Sequence, residues 1–533
     1  MLLRFLLFSA ILAAPVPAGV SQFWFYRPTN LLVEEQTTAT VQLIERAGRA
    51  GYTHCLIADA KFSRLQEMPE RYFKNAARVK QAAQTAGVAL IPALFSIGYS
   101  NDLLHSDPNL VESLPARETP LVIRNGGAVV EQDPEAAVKG GDFSNGMKGW
   151  AWKDDNVTIE DGIAIGRNPN GTNCRISQKV KLHPWRQYHL SVRIRTRDFR
   201  GTPTIRFLAG NIALNHDELH IPPTQDWKEH HVVFNSQGFR EANLYLGSWD
   251  GTTGEVAWDD ARLEEVAFIN LVRRESCPLE LKSQDGRILR EEVDFENLTD
   301  PLMGTRPYAG CFTVYHQPPV LKTKLPDGTR LRVSYYHAVT VLDDQANICV
   351  SEPKTWDILN DQAKRLHALW NAGGYLMSFD EIRVFNHCGA CEKRALDAGP
   401  MLADAARRCA QILRRINPKG RIYIWSDMFD PNHNAHADYY LTKGDYRGSW
   451  EGLDRDVIIV PWYFEKRRES LAFFANRGHR QIMAGYYDGP PEPNAAGWME
   501  AAAKTKGVDG IIYTTWRNDY SQLETFIQAA KKH

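Results

Sequence analysis

The chain has 533 residues, of which 43% are hydrophobic and 24% charged, a composition typical of globular proteins. Because single hydrophobic cores stop growing at ~250–300 residues, at least two domains are expected. The 63 basic and 64 acidic residues leave a formal charge of -1, which gives no electrostatic reason to expect nucleic acid or a membrane as a partner.

The N-terminus has the pattern of a leader segment. It carries one early basic residue, Arg4, then an apolar stretch, then a V-P-A end that is typical of a cleavage site after Ala18. Residues 1–20 are therefore predicted to be a signal peptide of a secreted or periplasmic protein. No later run reaches the ~18 apolar residues that would predict a membrane span.

From Ser21 the sequence alternates strand and helix patterns. SQFWFYRPT, YTHCLIAD and VALIPALFS are predicted strands, and the two helical patterns between them end at Gly51 and Gly87. Strict alternation of this kind predicts a parallel sheet.

The same rhythm resumes after about residue 340 with a helix and then five further strands. These strands are YLMSFDEI, RIYIWSDMFD, DVIIVPWYF, RQIMAGYYD and VDGIIYTTW. Eight strands alternating with helices predict a (β/α)8 TIM barrel, built from residues 21–130 and 267–533. LRVSYYHAV is excluded from the barrel, because only one helix lies between the third strand and YLMSFDEI.

Residues 131–266 have a different pattern of short alternating strands separated by Gly, Asn and Asp turns, which predicts an all-β sandwich inserted after barrel strand 3. GGDFSNGMKGWAW, HPWRQYHLSVRIRTR and GEVAWDDARLEEV resemble carbohydrate-binding modules of families 4, 9 and 22, which are jelly rolls. That resemblance implies glycan binding, and it makes Asp142 and Asp259 candidates for a structural calcium site. No other cofactor is expected.

Active sites of TIM barrels lie at the C-terminal ends of the strands, here called the barrel mouth. Acidic and aromatic residues dominate these ends, which suits a sugar substrate because sugar faces stack on rings and glycosidic cleavage needs carboxyl groups. The candidate site residues are Arg27, Asp59, Asp380, Glu381, Trp425, Asp427, Trp462, Tyr487, Asp488 and Trp516.

The adjacent acids Asp380 and Glu381 end a strand of otherwise apolar residues. Neighbouring strand residues point to opposite faces, so both acids cannot be ordinary residues of the barrel core. At the strand end both could reach the barrel mouth in distinct roles. In the competing interpretation, Asp380 caps the next segment and Glu381 forms a solvated ion pair with Arg383.

FDEI, YIWSD, PWYF, GYYDG and IIYTTW, in this order, resemble the family 20 β-N-acetylhexosaminidases. The resemblance implies a retaining, substrate-assisted glycoside hydrolase. It implies that Glu381 is the acid/base, Asp380 orients the substrate acetamido group, Tyr487 donates a hydrogen bond to that group, Trp516 walls its pocket and Arg27 grips the sugar. For Glu381 to carry a proton near neutrality, aromatic and partly dry surroundings would have to raise its affinity for that proton.

Two alternatives stay open. The first is a conventional retaining glycosidase in which Asp488 is the nucleophile, with its carboxyl group ~5–5.5 Å from that of Glu381. The second is a carbohydrate-binding protein without catalytic activity.

Cys388 and Cys391 form a C-x-x-C sequence just after the acid pair. Because the chain has no second C-x-x-C, a local structural role or a disulfide is favoured over a zinc site, and no metal is predicted.

Overall fold

A computed structural model describes residues 19–342 and 344–532. Most of the predicted signal peptide, residues 1–18, lies outside the described residues. Within the described part, none of the helices combines the length and apolar character needed to span a lipid bilayer.

Eight parallel strands form a closed barrel, as predicted. The last strand pairs with the first, with Gln22 opposite Gly510, and this pairing closes the ring. The barrel strands are β1 Gln22–Pro28, β2 His54–Ala58, β3 Ala89–Leu94, β4 Gly374–Met377, β5 Arg421–Trp425, β6 Val457–Val460, β7 Gln481–Tyr486 and β8 Val508–Thr514.

Alternation along these strands decides which side chains face the barrel interior. Trp24, Leu56 and Tyr423 pack with one another inside the barrel, whereas Phe25 and Ile57 pack outward in the core beneath the helices. Every strand is thus apolar on both faces, which explains the nearly continuous apolar runs in the sequence.

Eight α-helices are described, most of them in the layer around the barrel. The first two end at Gly51 (φ 94°) and Gly87 (φ 67°), as expected, because glycine adopts the left-handed conformation that closes a helix at low cost. The helices are α1 Glu34–Ala50, α2 Glu70–Ala86, α3 Pro353–Trp370, α4 Gly389–Arg394, α5 Ala398–Ile416, α6 Arg467–Asn476, α7 Pro491–Ala503 and α8 Leu523–Lys532.

Between β3 and β4 in the chain lies a sandwich of two five-stranded antiparallel sheets. Side chains of the two sheets meet in a core of their own, in which the Phe207 and Phe234 rings stack with centroids 4.2 Å apart. One sheet contains Val157–Glu160, Ile163–Arg167, Gln187–Arg200, Gln225–Asn235 and Thr253–Val266; the other contains Trp152–Lys153, Cys174–Lys181, Thr204–Ala209, Ile212–Ala213 and Glu241–Ser248.

A third, seven-stranded sheet was not predicted. Its central pair, Ser113–Arg124 and Arg330–Ala338, comes from segments that the sequence analysis placed in the barrel domain. The strand Arg330–Ala338 contains most of the sequence LRVSYYHAV. Buried and more exposed residues alternate along it, so one face packs on a core and the other faces outward, whereas a barrel strand is buried on both faces. The exclusion of LRVSYYHAV from the barrel is therefore confirmed. The other strands are Gly127–Val130, Leu271–Val272, Glu280–Ser283, Ile288–Leu289 and Leu321–Lys322.

A buried polar contact joins the sandwich to this third sheet. Gln187 donates a hydrogen bond to the Ile269 carbonyl oxygen (2.9 Å), and Asn235 donates one to that of Pro115 (3.0 Å). Both amide side chains also contact the ring of buried His337. A further two-stranded sheet pairs Val384–Phe385 with Leu441–Thr442 beside the barrel mouth.

Because the sandwich has its own core, we expect residues 131–266 to fold when expressed alone. The fragment should show a cooperative thermal transition and dispersed amide resonances, since its two sheets bury their apolar faces against each other. A disordered fragment would mean that the contacts of Gln187 and Asn235 with the third sheet are required for folding.

Candidate active site at the barrel mouth

Side chains at and just beyond the C-terminal ends of the barrel strands face inward and line the barrel mouth. Tyr26 follows Trp24 by two residues, Asp427 follows Trp425 by two, and Trp462 follows Val460 by two. Asp380 lies four residues after the inward-facing Leu376. Since residues two apart along a strand share a face, these side chains converge above the barrel interior.

Asp380 and Asp427 are neighbouring carboxyl groups in this mouth. Asp427 is fully buried, and its carboxylate accepts hydrogen bonds from the Glu381 backbone N–H (2.8 Å), the Asn434 amide (3.0 Å) and the Trp462 indole N–H (3.2 Å). Asp380 stays partly exposed, and in the described part of the chain no other residue donates a hydrogen bond to its side chain.

Burial and mutual repulsion favour the protonated form of both carboxyl groups. Burial, followed by the negative charge of Glu381, raises the pKa of Asp380 to about 7. Burial, followed by the charge of Asp380, raises the pKa of Asp427 to about 8. Because the charge of Asp380 opposes ionisation of Asp427, the two carboxyl groups are expected to lose their protons one after the other.

Glu381 has different surroundings from those that were expected. Arg383 Nη2 lies 2.6 Å from Glu381 Oε1, and the Tyr99 hydroxyl donates a hydrogen bond to Oε2. The ion pair of the competing interpretation thus forms, but it is not solvated at Arg383, which is only 4% exposed. Both carboxyl oxygens of Glu381 are therefore engaged by neighbouring side chains.

Backbone geometry separates the two adjacent acids. Glu381 adopts φ 51°, in the left-handed region, so the chain turns immediately after Asp380. Gln345 holds the turn by donating a hydrogen bond to the Glu381 carbonyl oxygen (2.9 Å) and accepting one from Arg383 (2.5 Å). The strand thus ends in two acids because Asp380 still faces inward, while Glu381 has already turned toward Arg383.

Aromatic rings surround the carboxyl groups. The Trp462 and Tyr487 ring centroids lie 6.0 Å apart, and those of Tyr26 and Trp516 lie 5.5 Å apart. Trp516 is 56% exposed, which leaves a ring face available at the rim. The Tyr487 hydroxyl donates to the Ala484 carbonyl oxygen (2.8 Å) inside the barrel, so it is already engaged and not presented to an acetamido group. Trp425 packs in the barrel interior.

Arg27 and Asp59 do not face the mouth, and their assignment to the site is wrong. Arg27 Nε donates a hydrogen bond to Thr40 of α1 (2.9 Å), on the outer side of the barrel. Asp59 accepts hydrogen bonds from the Leu31 N–H (2.9 Å) and the Tyr72 hydroxyl (3.1 Å). Each residue is one position out of phase with the inward-facing residues of its strand, so alternation turns it toward the helices.

Asp488 organises the turn after β8. Its carboxylate accepts hydrogen bonds from the Thr515 hydroxyl and from the backbone N–H groups of Trp516 (2.9 Å) and Arg517 (3.2 Å). Asp488 therefore positions Trp516 at the rim, and neither of its oxygens is left without a donor.

Sequence analysis missed Tyr26, Tyr99 and the buried role of Arg383. Tyr26 could have been found from the alternation along β1, because it shares the phase of the inward-facing Trp24. Burial and then the charge of Asp380 raise the pKa of the Tyr26 hydroxyl, which places it beside the carboxyl pair. No sequence signal connects Tyr99 to Glu381, which lies 282 residues further along the chain.

The calcium prediction remains untested. Asp142 and Asp259 lie at the same edge of the sandwich, where the Ala261 N–H donates a hydrogen bond to the Gly141 carbonyl oxygen (3.0 Å). Burial raises the pKa of Asp259, and the neighbouring charges of Asp260 and Asp142 contribute.

No family model matches the sequence, and no curated protein matches it. Among solved structures, a family 4 carbohydrate-binding module is similar to 24% of this chain over 84% of its own length (16% identity, TM-score 0.16). A family 16 module is similar to 24% of this chain over 97% of its length (18% identity, TM-score 0.19).

A rhamnosidase from Novosphingobium sp. PP1Y is similar along 98% of this chain and 59% of its own length (11% identity, TM-score 0.31). The structural neighbours of the chain thus include carbohydrate-binding modules and a glycosidase. Similarities this distant do not identify an activity or a substrate.

The turn that carries the acids depends on Gly98. A Cβ atom at this position would lie 1.6 Å from the Asp380 carbonyl oxygen. We expect Gly98→Ala to lower the free energy of unfolding by at least ~2 kcal/mol, measured by denaturant unfolding. Gly373→Ala, just before β4, is the matched control because a Cβ there meets nothing within 4 Å. Equal stability of the two variants would contradict this close approach.

The carboxyl pair also predicts how stability varies with pH. Because the pKa values of Asp380 and Asp427 are raised to about 7 and about 8, the folded chain binds more protons than the unfolded chain between about pH 4 and 8. Their contribution to stability is therefore present at low pH and lost as the pH rises through this window.

Asp380→Asn removes one of the two charges, so it should flatten this dependence. We expect similar stability of variant and wild type near about pH 3, below the window, and a variant more stable by at least ~1–2 kcal/mol near about pH 9, above it. Chemical denaturation at both pH values measures the difference. A variant whose stability falls with pH as steeply as that of the wild type would show that the pKa of Asp380 is not raised in the folded chain.

Proposed function

We propose that this chain is a glycoside hydrolase whose active site is the barrel mouth. The observation that carries the proposal is the carboxyl pair Asp380 and Asp427, which holds a proton near neutral pH among aromatic side chains. Glycosidic cleavage needs such a proton for the leaving oxygen.

A second requirement is negative charge near the sugar ring, because the transition state resembles an oxocarbenium ion. In this proposal Glu381 supplies it: Arg383 Nη2 lies 2.6 Å from one carboxyl oxygen, and the Tyr99 hydroxyl fixes the second. The barrel mouth would thus combine a proton donor, the carboxyl pair, with a fixed anion, Glu381. The different surroundings of these carboxyl groups would give them their different roles.

In this proposal the acid role passes from Glu381 to the pair. The resemblance to family 20 gave that role to Glu381, but Arg383 and Tyr99 already engage both oxygens of Glu381. Burial instead favours a proton on Asp380 and Asp427, at the same end of the barrel.

The nucleophile is proposed to come from the substrate. Arg383 and Tyr99 occupy the two oxygens of Glu381, and Thr515 with two backbone N–H groups occupies those of Asp488. A covalent ester on either residue would require these contacts to break. An acetamido oxygen on the sugar avoids that cost, so we propose N-acetylhexosaminides as substrates, cleaved with retention.

The aromatic residues fit a sugar-binding role. Trp516 offers an exposed ring at the rim, and Trp462 lies beside Tyr487 and donates a hydrogen bond to Asp427 (3.2 Å). Apolar sugar faces stack on such rings, which holds the scissile oxygen near the carboxyl pair.

Two variants test the proposed roles. Asp427→Asn removes the protonated partner and Glu381→Gln removes the fixed anion, so each should lower kcat/KM for chromogenic N-acetylhexosaminides by ~10²–10⁴-fold. Asp519→Asn is the matched control, because its side chain is exposed and, among the described residues, accepts hydrogen bonds only from Ser521, two positions away. Thermal melts exclude unfolding, and near-normal turnover of a folded Asp427→Asn would reject the pair as the acid.

Inhibitors separate this mechanism from its alternatives. A thiazoline that mimics the acetamido-derived intermediate should inhibit strongly, because it resembles a state the site stabilises. A 2-fluoro glycoside should leave the protein unlabelled in intact-mass spectra. A stable adduct on Asp488 or Glu381 would instead indicate a carboxylate nucleophile, and no turnover of any glycoside would favour a binding protein without catalytic activity.

A further inference from the structure

Four buried side chains with metal-binding atoms meet beside the barrel, outside the carboxyl pair. The side-chain ligand atoms of Glu112, Cys349, Cys388 and Cys391 all lie within 4.8 Å of one another. Cys349 Sγ is 3.3 Å from Cys388 Sγ and 3.7 Å from Cys391 Sγ, and Cys391 Sγ is 3.4 Å from Glu112 Oε2. The three cysteines are free thiols with no exposed surface.

A disulfide does not account for this arrangement. Bonded sulfur atoms lie ~2.05 Å apart, and one disulfide among three cysteines would leave a thiol and a buried carboxylate beside it. Sulfur atoms ~2.3 Å from a common tetrahedral centre lie ~3.8 Å apart, close to the separations found here. The chain has no second C-x-x-C sequence that could supply two more metal ligands. In the folded protein, Cys349 and Glu112 come from distant segments and lie beside Cys388 and Cys391, which gives four potential ligands.

We propose that Glu112, Cys349, Cys388 and Cys391 bind one zinc ion as a closed structural site. Three sulfur ligands and one carboxylate oxygen give the four-coordinate set that zinc prefers. With four protein ligands and complete burial, no position is left for a reacting water, so this site is structural and not catalytic.

The surroundings of Glu112 fit a ligand role. Its Oε1 accepts hydrogen bonds from the backbone N–H groups of His387 (2.9 Å) and Cys388 (2.7 Å), which orients Oε2 toward Cys391. Such outer contacts typically fix metal-binding carboxylates.

A nearby cation balances the charge. Three thiolates and one carboxylate around Zn²⁺ leave a net charge of about −2. The charge of Arg274 acts on Cys349, Cys388 and Glu112, and its side chain is 8% exposed. A buried guanidinium at this position offsets part of the excess negative charge.

The proposed site joins three segments that support the barrel mouth. Glu112 precedes the third sheet, Cys349 precedes α3, and Cys388 lies seven residues after Glu381. The segment leading to Cys349 already holds the acid-bearing loop, since Asn347 accepts a hydrogen bond from the Val384 N–H (2.9 Å). Bound zinc would therefore fix the loop that carries Glu381 and Arg383.

Metal content tests the proposal without depending on any activity. Protein purified with added zinc and then dialysed should retain one zinc per chain by elemental analysis and native mass spectrometry. Cys349→Ser should lose it, and Glu112→Gln should weaken zinc affinity at least ~10-fold in competition with a chromophoric chelator. Cys55→Ser is the matched control, because Cys55 is equally buried but lies in β2, outside the cluster.

Cobalt substitution supplies an independent signature, because tetrahedral thiolate sites give strong visible and near-ultraviolet absorption with Co²⁺. The wild type and Cys55→Ser should show these bands, and Cys349→Ser should not. Full zinc retention in Cys349→Ser, or a disulfide linking two of the three cysteines in the wild type by non-reducing peptide mass spectrometry, would overturn the proposal. Cys277, a buried free cysteine, also acts on Arg274. Loss of zinc in Cys277→Ser with retention in Glu112→Gln would make Cys277 the fourth ligand in place of Glu112 and contradict the assigned set.

Discussion

Repulsion between Asp380 and Asp427 is the constraint on which the barrel mouth depends. The two carboxyl groups end neighbouring strands, β4 and β5, in the same inward phase, so the fold forces them together. Asp427 is fully buried and Asp380 partly so, and the pKa values are raised to about 8 and about 7 as a consequence. The raised pKa values thus follow from the strand register, which places both carboxyl groups at the same mouth.

The surrounding structure holds this unfavourable arrangement in place. Three donors converge on Asp427, and Gln345 and Arg383 fix the turn at Glu381. The hydrogen bonds to Asp427 lower its pKa, but burial and the charge of Asp380 raise the pKa by more. Zinc bound by Glu112 and the three cysteines, as proposed above, would add a rigid support at the far end of the same loop.

Much of the barrel could be predicted from sequence, whereas the contacts of the site could not. All eight strands appear as apolar runs, because strands buried on both faces leave that pattern. Arg27 and Asp59 were misassigned because position at a strand end was considered without its phase. Tyr99 with Glu381, and Glu112 with Cys349, are pairings between distant segments, and no local pattern encodes them. The third sheet was missed because its central strands are separated by the whole sandwich.

The carboxyl pair can be observed directly by carbon NMR of protein labelled at the aspartate carboxyl groups and titrated with acid and base. The account predicts two resonances that titrate near about pH 7 and about pH 8 in the wild type. In Asp380→Asn one of them should be absent and the other should move to lower pH, because the repulsion has been removed. If every aspartate carboxyl in the wild type is ionised by about pH 6, the pair holds no proton at neutral pH and the central claim fails.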